Sequence, residues 1–249
     1  MRIDAVVLAG RENTGKLSGE SSEKYEANID IAGKPMVAYI LGALQAVSRV
    51  GDIYLVGPKE GLARYESERV KLVEPGDSLF DNVKIGLDRA NTEFVLVSAS
   101  DVPLVTSRMI DEFLDQCLAT GADFCYPVSE KADCERAFPG VKRTYVTLRE
   151  GTFTGGNIFF VRKSIAGRTW SMVEKMIEYR KDPLKMASVL GLGLLVKLML
   201  KTAGVSEIER RVGDLLMITP KAILRASPEI GVDVDKPSDL ELCRRILGK

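Results

Sequence analysis

Apolar positions fall along this chain in two alternating rhythms. Short runs with little polar interruption occupy Ile3–Ala9, Asp52–Val56, Val70–Val73, Phe94–Ser98, Phe124–Val128 and Asn157–Val161. Such runs predict strands buried on both faces. Between them Val37, Ile40, Leu41, Leu44 and Val47 recur at helical spacing, as do Leu79, Val83, Leu87 and Ala90, and again Ile110, Phe113, Leu114, Cys117 and Leu118. Strand–helix–strand alternation predicts an α/β fold with a mostly parallel, doubly wound sheet and right-handed crossovers. Ligands of such sheets bind beyond the carboxyl ends of the strands. The loops after Ala9, Val73, Ser98 and Val128 are therefore where a site is expected.

Two stretches break the rhythm. Ser129–Phe153 is polar, carries Pro139 and Gly140, and predicts one strand at Thr144–Leu148. It reads as an excursion from the sheet. Arg162–Leu215 is mostly helical in pattern and lies between two strands, which predicts a helical insertion over 162–215 within a single domain spanning 1–249. Inside it Met186–Val196 holds no charged residue before Lys197 and Lys201 interrupt. A bilayer span needs ~20 apolar residues. This shorter stretch is expected to cover the sheet or a second subunit, as in a homodimer; membrane-surface contact is the less favoured alternative.

Composition narrows the chemistry. The 249 residues are 45% hydrophobic, enough for a large core. Basic and acidic residues balance at 35 each, so a nucleic-acid partner is not expected. There is no histidine, which excludes Ser-His-Asp and Cys-His catalysis and His-ligated zinc. What remains is carboxylates, lysines, arginines, backbone amides or a metal with oxygen ligands. Cys117, Cys125, Cys134 and Cys243 show no C-x-x-C spacing. Together with the lack of a signal-peptide pattern, they predict buried thiols in a reducing cytoplasm.

Several motifs then carry weight. Ala5–Ala9 is apolar and breaks into Gly10-Arg11-Glu12-Asn13-Thr14-Gly15-Lys16, which has the G-x-x-x-x-G-K spacing of a P-loop. A P-loop needs a Ser or Thr hydroxyl after the lysine and then a helix. Here Leu17 follows, and Ser18–Glu23 lacks helical periodicity, so the spacing is read as coincidence. Phe94–Ser100 predicts a buried strand delivering Asp101 to its C-terminal end before Pro103. That acid either holds a divalent metal or caps the helix expected near Thr106. Asp233 and Asp235 flank Val234, and in extended chain they point to the same side. Pro35, after Gly33-Lys34, fits a first helical position. Thr154-Gly155-Gly156-Asn157 precedes a strand, and its glycines allow a ligand near the backbone.

Taken in order, these segments resemble the MobA-like nucleotidyltransferases and the wider group of sugar- and polyol-phosphate cytidylyltransferases. The matching segments are Leu8-Ala9-Gly10, Gly33-Lys34-Pro35-Met36, Ser100-Asp101-Val102-Pro103, Gly155-Gly156-Asn157, and Asp233-Val234-Asp235 with Pro237 and Asp239. The resemblance implies a three-layer α/β/α, GT-A-like fold with a helical insertion before the last strand. It also implies transfer of a nucleoside monophosphate from an NTP, CTP or GTP favoured, to a phosphorylated small molecule with release of pyrophosphate. By position, Leu8, Ala9 and Gly10 would contact the nucleotide through the backbone, with Arg11 and Ser100 beside them. Gly76, Ser78 and Asn82, within Pro75–Asn82, would lie against the base. Lys16 or Lys24 would neutralise the triphosphate; Asp101 with Asp233 or Asp235 would hold Mg²⁺; Gly155, Gly156 and Asn157 would line the acceptor side. An acceptor phosphate is already anionic, so this chemistry needs no histidine base.

The chain differs from the family pattern at four places. Arg11 stands where the family has a second glycine, Gly15 at its arginine, Glu26 at its lysine eight residues before Lys34, and Ser100 at a glycine. Two other functions are compatible with the same fold: a non-catalytic nucleotide-binding or regulatory protein, and a glycosyltransferase using a nucleotide-sugar through the Asp233-Val234-Asp235 D-x-D.

Overall fold

The computed structural model describes residues 1–165 and 189–248, together with residues 167, 172, 175, 179 and 185. Strand β1 (Ile3–Leu8) leads through a small ribbon, β2 (Asp30–Ile31) and β3 (Lys34–Pro35), into helix α1 (Met36–Ala46) and strand β4 (Val50–Val56). A short helix α2 (Lys59–Leu62) precedes β5 (Val70–Val73), α3 (Leu79–Arg89) precedes β6 (Phe94–Ala99), and α4 (Ser107–Thr120) precedes β7 (Phe124–Glu130). Then come α5 (Lys131–Ala137), β8 (Val146–Leu148), β9 (Gly151–Gly155) and β10 (Ile158–Arg162). Helices at Leu192–Met199 and Val205–Leu216, strand β11 (Pro220–Leu224) and a helix at Pro237–Leu247 complete the described elements.

Pairing in the main sheet follows the path β5-β4-β1-β6-β10-β7-β9-β8, with β11 also paired to β7. β5, β4, β1 and β6 are mutually parallel, as are β7 and β11. β10 is antiparallel to both its neighbours. Cys125 pairs with both Lys221 of β11 and Phe160 of β10, and Val128 pairs with both Leu224 of β11 and Gly155 of β9. A residue has one partner on each side, so β9 and β10 lie together on the side of β7 opposite β11. They are two halves of one extended segment, interrupted at Gly156-Asn157. Past that break β10 turns to β6, while β9 takes β8 as its other neighbour.

Alternate residues of the central strands face two helical layers. Ala5, Val7, Leu55 and Leu96 pack with Val37, Ile40 and Leu44 of α1 and Ile110, Phe113 and Leu114 of α4. Val6, Val56, Val95 and Val97 pack with Leu87 and Ala90 at α3. This is the expected three-layer α/β/α arrangement. A further apolar cluster lies under one end of the sheet and joins Leu17, Ile29, Ile31, Met36, Leu104, Val232, Val234 and Leu240. Leu17 is fully buried there, and residues 16–20 form a turn, not a helix. That geometry rules out a P-loop at Gly10–Lys16.

Local expectations are met with adjustments. Pro35 is the residue before α1 rather than its first turn. Pro237 does open its helix. All four cysteines are buried and free. The uncharged stretch Met186–Val196 begins at residues outside those described. Its visible part is interrupted at Gly191, φ +91. The helix that follows leaves Leu192, Val196, Met199 and Leu200 exposed rather than buried on the sheet. Among the described residues no helix is long and apolar enough to cross a membrane.

Candidate active site

Three carboxylates meet at the end of β6. The Ser100 amide donates to the Leu8 carbonyl at 3.1 Å, which ties the β6 turn to the end of β1. The Val234 amide donates to the Asp101 carbonyl at 2.9 Å, which docks the C-terminal segment on the same turn. Val232 and Val234 are buried in the lower cluster. By the two-residue period of extended chain, Asp233 and Asp235 then project away from it. One oxygen from each of Asp101, Asp233 and Asp235 lies within 4.8 Å of the others.

The electrostatics of this cluster are unfavourable without a cation. Burial, then repulsion from Asp233 and Asp235, pushes the Asp101 carboxyl up to about 7. Burial and Asp235 likewise raise Asp233. Asp101 does not cap the following helix. Thr106 does so, its hydroxyl accepting from the Met109 amide at 3.4 Å, and Asp101 Oδ1 stays buried without a hydrogen-bond partner. An orphaned carboxylate oxygen beside two further acids fits a hard divalent cation that takes oxygen ligands and keeps places for phosphate and water.

Arg11 supplies a positive charge in direct contact with the cluster. One guanidinium nitrogen lies 2.8 Å from Asp235 Oδ1 and another 3.2 Å from Glu26 Oε2. Glu26 is buried, which raises its carboxyl against the opposing pull of Arg11. In the sequence Glu26 is only a departure from the family pattern, and its contact with Arg11 has no spacing signal across fifteen residues. Lys16 lines a cavity shared with Asp233 and Asp235. The Lys24 ammonium is 2.8 Å from Glu60 and lies over the Tyr25 ring.

The strip expected against the nucleotide is assembled on the β1, β4, β5 side. Leu8 ends β1, and the Ala9 amide donates to Val56. The open side of Gly10 faces Asn82, Gly57 and Pro75, each 3.8 Å from where a Cβ would stand. Asn82 Oδ1 accepts from the Gly76 amide at 2.7 Å. Ser78 forms a capping box with Asp81 at the start of α3. Ser100 is buried.

On the other side of β6 stand Gly155, Gly156 and Asn157. A Cβ on Gly155 would collide with the Tyr126 hydroxyl, and one on Gly156 with Ile230 and Pro127. These glycines are required where the β9–β10 segment breaks against β7, a packing reason that no sequence spacing reveals. Gly155 and Asn157 still line a cavity of ≈ 280 Å³ whose wall includes Lys16, Asp233 and Asp235. Arg143 borders it too; as one of three arginines in the polar 129–153 excursion it carries no pattern by which to single it out.

Comparison with known proteins agrees with this fold. The profile of the MobA-like NTP transferase domain matches residues 5–182. A probable molybdenum cofactor guanylyltransferase of Thermococcus gammatolerans is 26% identical over 160 residues, 62% of this chain and 77% of its own length. A hypothetical transferase from Thermus thermophilus superimposes with TM-score 0.86 at 33% identity, covering 96% of this chain and all of that one. A 2-C-methyl-D-erythritol 4-phosphate cytidylyltransferase, also from Thermus thermophilus, shares the fold, with TM-score 0.57 at 14% identity over 99% of this chain and 98% of its own. With its strand order, its carboxylate-bearing β6 turn and the family match over residues 5–182, this chain belongs to the MobA-like NTP transferase family.

Proposed function

We propose that this protein is a Mg²⁺-dependent nucleotidyltransferase. It moves a nucleoside monophosphate from an NTP, GTP or CTP favoured, to a phosphorylated small molecule and releases pyrophosphate. The observation that carries this reading is the convergence of Asp101, Asp233 and Asp235 at the end of β6. The named activities of its relatives, guanylyl and cytidylyl transfer, support the reaction class.

The chain's residues divide the work by position. The backbone of Leu8, Ala9 and Gly10, with Gly76 and Asn82, cradles the nucleotide on the β1–β5 side. Arg11 and Lys16 offset triphosphate charge. Asp101 with Asp233 and Asp235 would hold Mg²⁺, which when bound supplies charge neutralisation at the reacting phosphates. An oxygen of the acceptor phosphate bonds to the α-phosphorus. The bond to the β-bridging oxygen breaks, and pyrophosphate leaves with that electron pair. The nucleophile is already anionic, so rate comes from in-line positioning and fixed charge rather than from a base.

A nucleotide-sugar glycosyltransferase is less well supported. Its D-x-D would be expected after the central strand, where this chain has the single acid Asp101; Asp233-Val234-Asp235 comes from the C-terminal segment. The test is a screen of the four NTPs against a panel of phosphorylated acceptors, read by pyrophosphate release. Mg²⁺-dependent release with GTP or CTP is expected. Nucleotide binding without release for every acceptor would instead favour the regulatory alternative.

A further inference from the structure

We propose that the cavity beside the carboxylate cluster is an anion subsite, built around Arg143, that takes the phosphate of the acceptor. The inference rests on the nucleotidyl-transfer reading and adds to it where the second reactant's charge is held.

Among the described arginines, Arg143 alone has buried guanidinium nitrogens without a hydrogen-bond partner. One of its nitrogens donates to the Gly231 carbonyl, at a position where a side chain on Gly231 would strike the guanidinium. Its Nε and Nη2 are buried and have no hydrogen-bond partner. Among the described residues no carboxylate is within ion-pairing distance of it, whereas Arg11, Arg49 and Arg162 each hold two. A guanidinium with buried, unused donors is costly unless an anion completes it, and the planar donor fork matches phosphate oxygens.

The surroundings point the same way. Lys16, Lys142 and Lys236 share the wall of the ≈ 280 Å³ cavity with Arg143. Asp233 and Asp235 line it as well, which sets a phosphate held there beside the metal-binding acids. Pockets for drug-sized ligands run to about 300–1,000 Å³; this one suits a small phosphorylated molecule or the phosphate end of a larger one. The choice between acceptor phosphate and leaving pyrophosphate follows from topology. The nucleotide strip lies with β1, β4 and β5, and Asp101 follows β6. The cavity is walled by Thr154, Gly155 and Asn157, on the β7–β10 side. An acceptor held there reaches the acids from the side away from the nucleotide strip; Lys16, given above to the triphosphate, lines the same cavity, so the pyrophosphate arm of the experiment separates the two.

The experiment measures equilibrium binding of inorganic phosphate, and separately of pyrophosphate, to the full chain with Mg²⁺ and a non-hydrolysable GTP or CTP analogue. Arg143→Met is expected to weaken phosphate binding tenfold or more while nucleotide-analogue affinity stays within twofold. Should Arg143→Met fail to fold, Lys142→Met/Lys236→Met, at two positions that are not buried, is expected to weaken phosphate binding several-fold. An unchanged phosphate affinity in these variants overturns the subsite. So does an equal loss for phosphate, pyrophosphate and nucleotide analogue, which would place the triphosphate there instead. If the wild-type chain binds no NTP yet keeps Arg143-dependent phosphate binding, the nucleotidyl-transfer reading fails and the anion site stands.

Discussion

Asp101 sets the behaviour of the site at the residue scale. Its folded carboxyl lies near 7 while an unfolded aspartate ionises near 4. The folded state therefore binds the extra proton. In metal-free protein the contribution of Asp101 to stability is best below about pH 4, declines as pH rises to about 7, and changes no further above that. Asp101→Asn removes the buried charge, so at pH 8 without metal it is predicted to be more stable than wild type, on the order of 1–3 kcal/mol. Chemical denaturation of both proteins checks this, and equal or lower stability of the variant contradicts it. Divalent affinity should rise with pH through the same window, because the ligand must be ionised; calorimetric Mn²⁺ titrations at pH 6 and pH 8 read it. Asp101, Asp233 and Asp235 are legible in the sequence because a strand end and a two-residue period fix where such side chains go. Glu26 and Arg143 are not: Glu26 takes its meaning from its ion pair with Arg11, and Arg143 from buried, unused donors, neither of which any spacing encodes.

Elements explain which strands are readable and which are not. β1, β4 and β6 are apolar runs with little polar interruption because helices cover both their faces. β9, Gly-Thr-Phe-Thr-Gly, is too short and glycine-rich to signal a strand; it exists because β7 and β8 supply its hydrogen bonds. The direction of β10 is equally invisible, as period and propensity do not encode orientation. Two substitutions test the elements themselves. Asp4 is buried in β1, where its carboxylate accepts from the amides of Asp52 at 3.0 Å and Asn91 at 2.8 Å. Asp4→Ala strands both donors and should destabilise by roughly 2–4 kcal/mol, measured as a shift in denaturation midpoint. The β2–β3 ribbon turns through Ala32 and Gly33, both at positive φ, the geometry of a type I′ turn that favours Asn-Gly. Ala32→Asn should raise stability by up to about 1 kcal/mol; a loss would contradict that turn assignment.

The proposed reaction needs two half-sites, and the whole molecule offers a place for each on either side of one boundary strand, β6. Parallel strands β5, β4 and β1 present glycine-bearing loops to one side of Asp101. The break between β9 and β10 presents Gly155, Asn157 and the Arg143 cavity to the other. The C-terminal segment, pinned by the Val234–Asp101 hydrogen bond, closes the centre with two more acids. The most direct measurement of this account is Mg²⁺-dependent pyrophosphate release from GTP or CTP with a phosphorylated acceptor, comparing wild type with Asp101→Ala. The account predicts release by the wild type that falls at least a hundredfold in Asp101→Ala while the variant stays folded. Undiminished release in the folded variant would contradict it.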